Sequence, residues 1–378
     1  MRITLLSILF IHLFFFSSSI DLGSYYKEFM QSNGYELEEN SVTTPDGYIL
    51  SVWHMAPKKP NGKVVFFQHG LADTAWCFFQ LGEKSLPFLL LNEGYDVWLG
   101  NIRGNVFSSK HLTKNPKDLN GDFYAYTLDD FAQYDLPSMV NYVKSRTGGK
   151  KMSYIAHSQG STIFLMLYMH DPAFTESSFD HFSSIGTVPN IAYTQFAPIE
   201  LLDKIYGILE QVNIFNTLNL SDTQRYIISQ FCKLSPFICG KCFDAGASIK
   251  PSKRMDYKNV YNFMYYYPGG TSKTNLLHWS QIHNMKQLVY YNPNFDKEKT
   301  ARPYNINNLK KWKIKALIAR TDDDTFSSYQ DVTEFYNTVN DKSYMNILDL
   351  VNYGHIDVLG ADSAYEDIYI PILNFIDN

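Results

Sequence analysis

After its first twenty residues the chain has no apolar run long enough to cross a bilayer, and nowhere does it carry a tract of like charge. A spanning helix needs about 20 apolar residues, so the chain beyond that point is expected to be soluble. Charged residues make up only 19% and the net charge is −5, which gives no sign of a nucleic-acid partner. Internal repeats and low-complexity tracts are absent as well. Cysteine is scarce, at four residues. What is abundant is apolar. Hydrophobic residues reach 45%, with 28 Tyr and 27 Phe, enough to bury a large core. A length of 378 residues suits one large enzyme domain with an insertion, or two domains.

The exception to the first absence is the N-terminus. Arg2 precedes the largely apolar stretch Leu5–Phe16, and Ser17-Ser18-Ser19 follows. The stretch is too short to span a membrane and ends in small residues, so residues 1–19 are expected to be a secretory signal peptide cleaved before Ile20. An oxidising route gives the cysteines meaning. Cys232, Cys239 and Cys242 lie close together, and a disulfide is expected among them, with the pair left open. Three cysteines without a nearby histidine argue against zinc. Asn219-Leu220-Ser221 is the one glycosylation acceptor pattern, which secretion makes usable.

Strand and helix signals alternate over most of the chain. Lys63–Gln68 and Gly94–Leu99 read as buried strands, and Asp46-Gly47 as a hairpin turn within Val42–Pro57. Leu136, Met139, Val140 and Val143 recur at helical spacing before Gly148-Gly149. Lys315–Ala319 and Met345–Leu350 are further strands, separated by a helix through Val332, Phe335, Tyr336 and Val339. Such alternation predicts a mostly parallel sheet covered on both faces. Between Pro189 and about Asn275 the strand signal stops, and amphipathic helices marked by Leu201, Leu202, Ile205, Ile208, Leu209 and Val212 take over. The expected organisation is therefore a core over residues 20–188 and 276–378, with a helical cap inserted at 189–275.

One stretch carries the chemistry. Met152–Ala156 reads as a buried strand and Ser161–Met169 as a buried helix, with Ser158 at the turn between them. A serine placed so stands on a strained turn with a helix N-terminus beneath it. Ala156 and Gly160 supply the small residues needed two positions either side. A serine hydroxyl becomes a nucleophile only when a base takes its proton and an acid fixes that base. In a doubly wound hydrolase sheet these partners follow in the order acid, then histidine, on loops past later strands. Asp322, Asp323 and Asp324 follow one such strand, and His355 follows the next as the only histidine beyond them. His157 adjoins the serine in a fixed turn and is expected to pack or bond locally. For the oxyanion, the N–H of Gln159 and that of Leu71, in His69-Gly70-Leu71 at a strand end, are the expected donors.

These residues sit among stretches that together resemble the acid lipase family, the gastric and lysosomal acid lipase type. The stretches are Thr44–Leu50, His69-Gly70-Leu71, Gly94–Asn105, Tyr134–Pro137, His157–Gly160, Pro268–Ser272 and His278–Gln281, and the resemblance covers nearly all of the chain after the leader. It implies an α/β-hydrolase fold and a lipid carboxylic-ester hydrolase acting on triglycerides, cholesteryl esters or both. Its catalytic acid stands seven residues before an Asp-Val pair, so Asp331-Val332 selects Asp324 from the trio. His355-Ile356-Asp357 matches its catalytic histidine segment. No metal or organic cofactor is implied. The implied partner is a lipid ester at a lipid–water interface, and the destination secretion or a lysosomal or digestive lumen; a monomer is expected, with the oligomeric state left open. A soluble carboxylesterase, a lipid acyltransferase and a non-catalytic lipid carrier stay open as alternatives. Three departures stand out: Ala156 replaces a glycine, Thr321-Asp322-Asp323 replaces Gly-Gly-Asn and crowds carboxylates around the acid, and the cysteine spacing differs.

Overall fold

The computed structural model describes residues 22–118, 121–211, 216–246 and 252–378. The expected signal peptide lies outside them, as do the side chains of Asn219 and Cys242. The described strands are β1 Glu38–Thr43, β2 Tyr48–Met55, β3 Val64–Gln68, β4 Asp96–Gly100, β5 Lys110–His111, β6 Met152–Ser158, β7 Phe179–Thr187, β8 Asn216–Asn219, β9 Gly269–Ser272, β10 Lys315–Thr321 and β11 Met345–Leu350. The helices used below are α1 Tyr25–Ser32, α2 Leu86–Asn92, α3 Leu136–Arg146, α4 Gln159–His170, α5 Ala197–Gln211, α6 Asp222–Leu234, α7 Pro236–Gly246, α8 Val260–Met264, α9 Lys273–Met285, α10 Tyr329–Thr338 and α11 Ile370–Asp377.

The main sheet runs β1-β2-β4-β3-β6-β7-β10-β11, with β5 pairing β2 at its margin. From β4 through β3, β6, β7 and β10 to β11 every pairing is parallel, whereas β1, β2 and β5 join antiparallel. The turn between β1 and β2 closes through Gly47 N–H to Thr44 C=O at 2.9 Å, with Gly47 at φ +95°, where glycine is the unstrained choice. β3 and β6 are buried at every position, as strands covered on both faces must be. Their side chains divide accordingly. Val64, Phe66, Tyr154 and Ala156 enter a core with α3 and α4. Val65, Phe67 and Ile155 enter another with α1, α2 and α11. The expected α/β-hydrolase architecture is thus present, a parallel sheet between two helical layers.

Residues 189–275 hold α5, α6, α7 and α8, but they also hold β8 and β9, paired antiparallel. The sequence reading placed no strand there, and this is a correction. Asn216–Asn219 and Gly269–Ser272 are four residues each, without apolar alternation, so nothing local marks them as strands.

Candidate active site

The parallel strands all point their C-terminal ends to one edge, the usual place for a ligand in such a sheet. Ser158 ends β6, Leu71 lies three residues beyond β3, Asp324 three beyond β10 and His355 five beyond β11. Ser158 adopts φ +53° and ψ −124°, a conformation that costs an L-residue on the order of 1–3 kcal/mol and lifts its side chain clear of strand and helix. The turn is clamped from below. Ser161 donates its hydroxyl to Ser158 C=O at 2.6 Å and accepts the Val188 N–H at 2.9 Å. The tight crossing is at Gly160, where a Cβ would stand 2.4 Å from Gln68 O. Ala156, by contrast, packs its methyl into the core on the α4 side. Its departure from glycine therefore costs the turn nothing visible.

The three expected catalytic residues meet. Ser158 Oγ lies 2.7 Å from His355 Nε2, and His355 Nδ1 lies 2.7 Å from Asp324 Oδ2. A carboxylate only accepts, so Nδ1–H donates to Asp324, and the Nε2 lone pair faces the serine hydroxyl. The other Asp324 oxygen accepts the N–H groups of Phe326 at 2.8 Å and Ser327 at 3.1 Å. All three side chains are buried.

Geometry also separates the trio. Asp323 pairs with Lys253 at 2.8 Å, and Asp322 accepts the Asn352 N–H at 2.7 Å. The crowding suggested by sequence is dispersed into three directions. His157 lies beside the serine without touching its hydroxyl: its Nε2 is 3.0 Å from His355 C=O. Because a carbonyl cannot donate, Nε2 carries the proton. Burial, with His355 nearby, lowers the His157 pKa to about 3, so it stays a neutral strut that fixes the backbone of the base. Phe326 stacks on the His355 ring, with centroids 4.8 Å apart. That contact was not legible in sequence, since it depends on how two strand-end loops meet.

Leu71 lines the same cavity as Ser158, and Gln159 follows the nucleophile in the chain. Gly70 sits so close that a Cβ there would fall 2.9 Å from Ser158 Cβ and 3.1 Å from His157 Nδ1. Gln159 opens α4, and its side-chain oxygen accepts from Asn275 at 3.1 Å and Trp279 Nε1 at 2.9 Å. Helix α9 thereby holds the residue next to the nucleophile. The His278–Gln281 motif contained Trp279, but its partner was invisible from sequence.

Ser158, His355 and Leu71 open into a cavity of about 370 Å³, within the roughly 300–1,000 Å³ of small-molecule sites. Its walls are apolar for the most part, with Ile191, Phe196, Leu202, Ile205, Leu276 and Phe326 among them. Polar groups enter the wall as well, among them His157, Thr194 and one acid. Asp73 reaches the cavity from the loop after β3, and burial raises its pKa to about 7. Among the described residues no cluster of His, Cys, Asp or Glu is arranged to hold a metal.

Comparison with known proteins agrees with this architecture. Residues 26–82 match the partial α/β-hydrolase lipase region and residues 63–207 match the α/β hydrolase fold. Lipase member K of Homo sapiens is 30% identical over 362 residues, covering 90% of this chain and 87% of that protein. Gastric triacylglycerol lipase of Bos taurus is 30% identical over 370 residues, covering 90% and 88%. A membrane phospholipase A described as a bacterial virulence factor superposes with a TM-score of 0.55 at 12% identity, covering 100% of this chain and 98% of the other. An esterase from Exiguobacterium antarcticum gives 0.53 at 13% identity, covering 90% and 100%. The two structures share the fold; the two lipases share sequence over about nine-tenths of this chain. On that likeness the chain belongs to the lipase family of gastric triacylglycerol lipase and lipase member K, built on the α/β-hydrolase fold.

Proposed function

We propose that the chain is a serine hydrolase that cleaves carboxylic esters of lipids, triacylglycerols, cholesteryl esters or both. The observation that carries this reading is the hydrogen-bonded series Asp324–His355–Ser158 opening into an apolar cavity. Ser158 Oγ attacks the ester carbonyl while His355 Nε2 takes its proton. Asp324 holds the imidazole in the required tautomer and stabilises its charge. The N–H groups of Leu71 and Gln159 receive the oxyanion, a contribution worth about 3–4 kcal/mol per donor in such sites. Collapse expels the alcohol, protonated by His355, and leaves the acyl group on Ser158. Water, deprotonated by the same histidine, then releases the fatty acid. No cofactor enters these steps.

Residues 189–275 serve in this reading as a cap. Leu201, Leu202 and Ile205 on α5 line the cavity, so the acyl chain rests against that helix, and its displacement admits substrate. The signal peptide expected at residues 1–19 and the likeness to gastric triacylglycerol lipase support a secreted or lumenal protein. Among the described residues no helix is long and apolar enough to cross a membrane.

Substrate class is tested by measuring hydrolysis of triglycerides of several chain lengths, a cholesteryl ester and a soluble short-chain ester across pH 4–8. The reading expects turnover of emulsified long-chain esters that vanishes in Ser158→Ala. Turnover confined to the soluble ester would replace it with a soluble esterase.

A further inference from the structure

Two of the stretches marked in sequence, Pro268–Ser272 and His278–Gln281, contribute no residue to the triad. In the fold they belong to one unit. β9 runs directly into α9 at Ser272. The Ser272 hydroxyl accepts the Asn275 N–H at 2.9 Å, capping the helix, and donates to Tyr126 C=O at 2.6 Å. Further along, His278 Nε2–H donates to Val289 C=O at 2.7 Å, and Gln281 Nε2 donates to Asn292 C=O at 2.7 Å. Asn275, His278 and Gln281 are fully buried. Buried hydrogen bonds therefore fix α9 to the body of the protein along its length.

This unit reaches both segments that carry the expected oxyanion donors. At its start, Gly269 N–H donates at 2.7 Å to the C=O of Ala72, the residue after Leu71. The approach is close: a Cβ at Gly269 would stand 2.7 Å from Thr74 Cγ2 and 3.1 Å from Asp73 O. Ala72 is left-handed, at φ +52°, a conformation an alanine keeps only where its surroundings hold it. Asn275 and Trp279, four residues apart, share one face of α9. Both donate to Gln159 Oε1, at 3.1 Å and 2.9 Å. Two donors on one amide oxygen fix the direction of that side chain, and Asn275 Nδ2 is itself held by Thr271 Oγ1 at 2.9 Å.

The Gln159 amide is not needed to supply a donor. The donor is the backbone N–H, one of those that a helix start leaves without an internal acceptor, and any residue but proline at 159 would provide it. What the anchored side chain adds is aim, since an oxyanion donor works only when set about 2.7–3.1 Å from where the charge forms. We propose that Asn275 and Trp279 are positioning residues of the oxyanion hole, aiming the Gln159 N–H through its side chain while Gly269 holds the Leu71 loop from the same rigid unit. These roles rest on the hydrolase reading given above, and they name the residues that make its two oxyanion donors converge.

A mutant cycle in the full chain tests this. Gln159→Met keeps the N–H and the length of the side chain but removes the acceptor, while Asn275→Leu and Trp279→Phe each remove a donor. Each variant is assayed for kcat and KM on the soluble short-chain ester, and for affinity toward a trifluoromethyl ketone, which adds to a nucleophilic serine as a tetrahedral oxyanion. Rates are counted per site titrated to completion with a fluorophosphonate, so that misfolded protein does not register. Gln159→Met should lower kcat roughly tenfold or more, toward the roughly 10²–10³-fold of a lost donor, with KM within about twofold. Ketone affinity should fall in step with kcat/KM. Asn275→Leu and Trp279→Phe should each lower kcat several-fold; Trp279 also lines the cavity, so its variant is read on kcat and ketone affinity. Gln159→Met combined with Asn275→Leu should be no slower than Gln159→Met alone, because both act through one bond. Trp279→Phe, the mildest change, decides the matter should the others leave too few sites to titrate. Unchanged kcat per site in Gln159→Met, or losses that multiply in the double variant, would overturn the proposal. So would a loss of titratable sites with normal kcat in those that remain, the mark of a purely structural role. A wild type that hydrolyses no ester would overturn the hydrolase reading and these roles with it.

Discussion

At the scale of single residues, three adjacent carboxylates have three different partners. Asp324 meets His355, Asp323 meets Lys253 and Asp322 meets a backbone N–H. Asp324→Asn should lower kcat by roughly 10³–10⁴ because it disfavours the productive imidazole tautomer. Asp323→Asn and Asp322→Asn should leave kcat within about twofold, since each alters only a partner near the surface. Steady-state kinetics of the three variants on one soluble ester checks this. Gly70→Ala should cost roughly 10²-fold or more in kcat, because its methyl has to displace Ser158 or His157. Unchanged kinetics would mean that the loop yields more easily than the contacts imply. Ser158 and His355 were legible because their chain order and strand-end positions are local facts. Asp324 could be chosen from the trio only through the family resemblance. Asp73 and Phe326 were not legible, because which loop residues face a cavity is decided by contacts distant in sequence.

Among elements, the parallel strands other than β7, which Asp180, His181, Ser183 and Ser184 interrupt, announced themselves as mostly apolar runs and the core helices by their period. Strands β8 and β9 did not, being short, and β9 begins with two glycines. Nor does any periodicity encode the order β4-β3-β6-β7-β10-β11, which depends on crossovers. The least visible feature was the tie between α5 and α9. The Asp203 carboxylate on α5 accepts from the Ser280 hydroxyl, from Asn284 Nδ2 at 2.9 Å and from His283 Nδ1 at 2.6 Å. Each such bond is worth about 1 kcal/mol net. Asp203→Ala should therefore speed amide exchange across 197–211 by roughly 10–100-fold and leave β6 and α4 unchanged. Equal protection of α5 in variant and wild type would show that apolar packing alone holds this helix down. The Cys232–Cys239 disulfide, which joins α6 to α7, acts at the same scale. Closing so short a loop stabilises by about 2–3 kcal/mol, so Cys232→Ser with Cys239→Ser should increase exchange in α6 and α7 first.

For the whole molecule, buried titratable groups set how stability varies with pH. Asp73 keeps its proton in the native state up to about pH 7, while the unfolded chain releases it near 3.9. Native stability from this group is therefore full below about pH 4 and is lost as pH rises toward 7. His157 and His69 work the other way. Burial lowers their pKa values to about 3 and about 4, so stability is lost as pH falls below about 6.5, where the unfolded histidines take up protons. Asp73→Asn removes the first effect and keeps the second. Its stability relative to wild type should rise by about 4 kcal/mol between pH 4 and pH 8, read from denaturant unfolding at each pH. A constant difference would place Asp73 in water rather than in the cavity wall. The most direct measurement remains at Ser158. Intact-mass and peptide analysis after exposure to a fluorophosphonate should find one adduct on Ser158 in the wild type, none in Ser158→Ala, and loss of lipid-ester hydrolysis in step with labelling. An adduct elsewhere, or hydrolysis that survives Ser158→Ala, would contradict the assignment of this serine as the nucleophile.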